Sequence, residues 1–151
     1  MVPLLCLILF AIIDYGRTLN CAQIMVDLTR QGANLASRGT SLASAASTVA
    51  QNSAPLSVTQ SGLVIISSVA RVNNVDTVTG QATSGALSKS SKIGVLNGKA
   101  TVPAAIDDIF SKNNGQTVYV TEIYYPLTAI TPLAAMWGQV LPSTLYQVAY
   151  F

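Results

Sequence analysis

Few side chains in this sequence can carry out chemistry, and their spacing narrows what that chemistry can be. There is no histidine. General acid–base catalysis by imidazole, Ser-His-Asp and Cys-His pairs, and His-ligated metals are therefore excluded. Asp107 and Asp108 are adjacent, and adjacent helical residues do not share a face, so a shared-proton carboxylate pair is not expected. A first-turn position on a short helix, where the dipole favours acids, is the simpler reading. Cys6 and Cys21 would stand about 22 Å apart along a helix, beyond the reach of a disulfide. They read as buried free thiols, with an intermolecular disulfide as the alternative in an oxidising compartment. The patterns GxGxxG, GxxxxGK and CxxC do not occur, so no phosphate loop, metal, haem or redox cofactor is assigned. Lys89, Lys92, Lys99 and Lys112 are scattered and read as solvated. The tyrosines are better placed as core or interface rings than as an electron path. No catalytic, cofactor-binding or metal-binding residue is expected, and the protein is not expected to be an enzyme.

The remaining charges hint at architecture. Asp14 and Arg17 are three apart, as are Asp27 and Arg30, a spacing that suits local pairing on one helix face. Such pairing matters most where water is scarce. Water is scarce in the composition as a whole: of 151 residues, 50% are hydrophobic and only 9% charged, against roughly 25% charged in ordinary soluble domains. A net charge of +2 gives no electrostatic footprint for nucleic acid. The apolar content excludes a disordered chain. A surface made of Ser, Thr, Asn, Gln and Gly tolerates close contact with copies of itself, because few charges must be desolvated. Membrane attachment or self-association is expected, with a secreted Ser/Thr-rich domain as the plainer alternative.

The element that carries these charges begins with residues 1–13, MVPLLCLILFAII, which lack any polar side chain. As a helix they span about 20 Å, short of the roughly 30 Å hydrocarbon core. A signal peptide is not indicated, since no basic residue precedes the block and no small-x-small site follows it. Asn20 before Cys21 also disfavours a lipoprotein site. The helical pattern instead runs on without proline to about residue 52. Leu28, Leu35, Leu42 and Val49 lie seven apart, and Gly32, Gly39 and Ala46 follow the first three by four. A stripe of aliphatic residues beside one of Gly and Ala suits helices that pack at close range. A helix of about 50 residues would be some 75 Å long, too long for a small head to cover. Most of it should therefore contact other copies. Asn52 to Pro55 marks its end.

After residue 57 the period changes. Residues 61–72 read as a strand, 73–91 as turns with a weak strand at 75–79, and 92–102 as a hairpin about Asn97-Gly98. Residues 104–111 suit a short helix opened by Pro103, 116–125 the clearest strand, and 144–151 a last one. The stretch 127–141, with Pro132, Met136 and Trp137, is too apolar for a bare loop. It is either a core flap or a surface buried by a neighbouring copy. The expected fold is α+β: a long N-terminal helix (1–54), then a small antiparallel β domain (55–151) burying one sheet face.

This order of parts resembles the TadE-like family of pilin-like proteins, from the tight-adherence branch of type IV pili. Pro3-Leu4-Leu5, the apolar run 7–13 and then Asp14-Tyr15-Gly16-Arg17 carry the resemblance at one end. At the other it rests on Gly115-Gln116-Thr117-Val118-Tyr119-Val120, Tyr125-Pro126-Leu127 and Thr131-Pro132-Leu133. It covers about the first 40 and last 35 residues. The family's basic leader and early glutamate would fall before Met1, and such a turn or two would extend the apolar block towards a full span. The resemblance implies a pilin-like subunit made in the inner membrane with its β domain outside the cytoplasm. The helix is then bundled with other copies in a cell-surface filament by the pilus assembly machinery. The alternative is a membrane-anchored extracytoplasmic β domain, a minor pseudopilin or binding module.

Overall fold

The computed structural model describes residues 2–112, 115–128, 130–131 and 142–151. Helix α1 spans Val2–Ser37 and α2 spans Leu42–Gln51. The one long rod expected over this region is thus two helices, and the cause is local. Gly39 stands at φ 89, where its missing Cβ removes the steric penalty. Its N–H donates to the Ala36 carbonyl, and the Thr40 N–H donates to the Leu35 carbonyl, the paired bonds of a Schellman stop. Two residues later Ser41 caps α2, its Oγ accepting from the Ser44 N–H at 3.2 Å, which satisfies one orphan donor of the new helix. Gly39 is therefore a helix-ending residue, not a packing glycine, and a Cβ there would meet nothing within 4 Å. The expected end near Asn52 holds, with Asn52 at the C-cap of α2. A single turn, α3 (Val58–Ser61), leads into the sheet.

The sheet holds β1 (Leu63–Val72), β2 (Val75–Gly85), β3 (Thr117–Pro126) and β4 (Thr144–Tyr150), in spatial order β2-β1-β3-β4. All pairs are antiparallel. Asn73 and Asn74, at φ 52 and 64, make the two-residue hairpin whose twist suits the strands they join. That turn lets β2 run well beyond the weak strand expected at 75–79. Residues 92–102 do not form the expected hairpin of two strands. The turn at Asn97 is present (φ 61), but the segment pairs with the outer edge of β2. The Val78 N–H donates to the Gly98 carbonyl (3.0 Å), and the Ala100 N–H donates to that of Asp76 (2.7 Å). An edge strand's free groups take these partners. Helix α4 spans Ala104–Lys112.

Both sheet faces are covered, against the expectation of one. On one face α1 and α2 pack over Val64, Ile66 and Ile123, with Cys21, Met25, Leu28, Ala36, Ala45, Ala46, Val49 and Ala50. On the other, the segment between β2 and β3 brings Ile93, Ala100 and Phe110 onto Val69, Val78, Val118 and Val120. Helix α1 lies over β3 and β4, and α2 over β1 and β2. Glycine permits both approaches. A Cβ on Gly32 would stand 2.8 Å from the Thr121 side chain, and one on Gly80 would stand 2.9 Å from Leu42 Cδ1.

Candidate functional site: the stem and its latch

Helix α1 has two halves of different character. From Cys21 on, one face is buried on the sheet, through Met25, Leu28, Thr29, Ala33 and Ala36. Before Cys21 the helix projects from the head as a stem. Leu5 is 70% exposed and Ile12 64%, and Ile8, Leu9, Ile13, Tyr15 and Leu19 are exposed as well. Residues 5–37 form a helix long and apolar enough to cross a membrane. Cys6 is exposed on the stem and Cys21 is buried, so the expectation of two buried thiols holds for Cys21 and not for Cys6 within this chain.

The structure brings together the two charged residues of the stem and a distant loop. The Ile130 N–H donates to Asp14 Oδ1 (3.1 Å), and the Thr131 hydroxyl donates to Asp14 Oδ2. One turn further on, Arg17 Nη1 donates to the Thr128 carbonyl (2.9 Å). Asp14 is left only 7% exposed in the middle of an open helix. The expected pair is thus spent on the loop after β3. Among the described residues the ion pairs run from Arg71 to Asp76 and to Asp107, while Asp27 and Arg30 both lie exposed.

Six of the seven residues expected to pack helices pack within the chain's own head. Leu28, Gly32, Ala46 and Val49 are buried, Leu35 and Leu42 are half-buried, and Gly39 is in the turn. Their heptad spacing maps onto the inner faces of two helices rather than one stripe. Pro132, Met136 and Trp137 lie outside the described residues.

One buried group escaped sequence reasoning. Glu122 is fully buried, on the sheet face opposite the helices. It accepts from the Ser91 hydroxyl, the Lys92 N–H (2.9 Å) and the Tyr146 hydroxyl (2.9 Å). Lys92 Nζ stands 3.8 Å over the Tyr146 ring. The carboxylate fastens the strap 88–92 to the sheet. Its signal was phase: the only glutamate in the chain alternates with Val118, Val120 and Tyr124 on β3, an otherwise apolar face. Burial first, then the Glu122 charge, pushes the Tyr124 hydroxyl up from 10.0 to about 12, and the same causes raise Tyr146. A phenol whose folded pKa is raised lends stability that is complete below its unfolded value and is lost above it. Stability should therefore hold up to pH 10 and fall between 10 and about 12. Denaturation midpoints followed against phenolate absorbance would check this; an unchanged midpoint at pH 11.5 would refute it.

Neither a curated protein nor a solved structure matches the chain. The stem, the latch residues Asp14 and Arg17 and the first turns of the packed half fall within residues 1–34, and that segment matches the family model for TadE-like protein, in agreement with the resemblance carried by the residues themselves.

Proposed function

We propose that this chain is a structural subunit of an extracellular pilus-like filament, with stems bundled in the core and β heads outside. The observation that carries the reading is the stem itself, an apolar helix left uncovered by its own head. Each exposed aliphatic side chain there stands to gain roughly 1–2 kcal/mol on burial. Inner-membrane lipid can supply that cover before assembly and neighbouring stems afterwards, with dispersion contacts providing cohesion. Within the 1–54 segment, the part before Cys21 is free for this role. The match to the TadE-like model supports a place with the pilus machinery, and no catalytic part is assigned.

One observation favours a second reading, a membrane-anchored extracytoplasmic domain. The Gly and Ala residues that suit close packing, Gly32, Ala33, Ala36 and Ala46, are spent inside the head, leaving a stem of mostly large aliphatics as a lipid anchor would have. The stem variant Ile12→Asp separates the readings. Filaments seen by negative-stain microscopy should fall at least tenfold, with the head's denaturation midpoint unchanged, because an exposed site contributes little to folding. Wild-type protein that forms no filaments under any condition, yet still inserts into vesicles, would leave the anchor reading standing.

A further inference from the structure

Asp14 is satisfied in a way its surroundings do not require. On its own face of the helix Ala11 is exposed and Phe10, Arg17 and Thr18 are only half-buried, so without the loop water could solvate a carboxylate there at no cost. Instead both oxygens take donors from the head, and Arg17 takes a carbonyl, all from residues 111 to 117 positions away. A carboxylate needs protein donors where water is excluded. The arrangement suits a site that is dry in its working state. The latch also brings Thr128, Ile130 and Thr131 to the stem and leaves the Ile130 side chain 66% exposed at that level.

We propose that the latch extends the assembly surface from the stem onto this loop, so that a second copy of the chain covers both together. The proposal rests on the filament reading and adds which part of the head enters the contact. A protein neighbour fits better than hydrocarbon. The margin of the patch holds Arg17 and Thr128, whose remaining guanidinium N–H groups and hydroxyl another chain can pair and lipid cannot. Asp14 and Arg17 act here as positioning residues.

The test is maleimide labelling of Ile130→Cys, which keeps the backbone donor. It is compared with native Cys6 and with Val95→Cys, an exposed position on the segment that edges β2, in filaments and in monomers held in lipid vesicles. The expected result is labelling at position 130 slowed at least tenfold in filaments but not in vesicle monomers, with position 95 open in both. Adding Asp14→Ala should restore labelling at position 130 severalfold with the head's denaturation midpoint unchanged, and protection that survives this change would remove the latch from the account. If position 130 stays open in filaments while Cys6 is protected, the interface stops at the stem and only the extension fails. Protection already present in vesicle monomers would make lipid the cover and overturn the proposal. An open Cys6 in filaments would defeat the bundling reading itself.

Discussion

Replacing Gly32 with leucine should unfold the head rather than merely block assembly. The glycine is where α1 meets β3, and even a single Cβ would stand 2.8 Å from the Thr121 methyl and hydroxyl and 3.3 Å from Ile66 Cδ1. None of these can retreat easily. Thr121 is fully buried on a central strand, and Ile66 is fully buried beside it. A leucine must lift the helix off its seat, at a cost of about 3 kcal/mol or more. Gly32→Ala is milder, because about 1 kcal/mol of helix propensity offsets part of the overpacking. Trimming the opposing side chain gives the control. Thr121→Ala opens room for the new methyl and deletes a buried hydroxyl that has no partner among the described residues, so it should rescue Gly32→Ala in urea melts. Gly39→Ala meets no clash and should cost only the strain of its φ of 89, about 1–2 kcal/mol. Equal losses at the two glycines would contradict the helix–sheet contact described above.

Glu122→Ala is the second change of large effect. The carboxylate sits fully buried and gathers the Ser91 hydroxyl, the Lys92 N–H and the Tyr146 hydroxyl. Its removal strands three donors that had given up water, each at roughly 1–3 kcal/mol if it stays buried. Part of this is recovered if the strap peels away and its donors rehydrate. A net loss on the order of 3 kcal/mol is expected, together with faster amide exchange over 88–93. Glu122→Gln keeps the shape and an acceptor and should lose less. A Glu122→Ala variant as stable as wild type, with unchanged exchange in the strap, would show that the carboxylate does not fasten it.

How much of this was legible beforehand depends on the range of each cause. The stem's apolar block and the strands β1, β3 and β4 are local patterns, and they stand close to where periodicity places them. The break at Gly39 is local too, and its signals, a glycine stop followed two residues on by a serine cap, were in plain view. The heptad of Leu28, Leu35, Leu42 and Val49 outweighed them because a period of seven reads the same along one helix and across two antiparallel ones. Strand β2 is Gly-, Thr- and Ser-rich, with little alternation, and owes its identity to pairing with β1, which no local window contains. The latch lies beyond sequence reasoning for the same reason. The charges of Asp14 and Arg17 are conspicuous, but their partners stand 111 to 117 residues away, and only the chain's topology brings them near.

The strand order also imposes a timetable on biosynthesis. Helix α1 is translated first, yet it lies over β3 and β4, the last two strands to leave the ribosome. At ~5–20 residues per second the seat for this helix is complete about 6–20 s late, whereas α2 waits about a third as long for β1 and β2. Throughout that delay an apolar segment must be sheltered by something other than its own head. On the filament reading proposed above, a bilayer takes the stem during that delay, and the head closes on the helix afterwards.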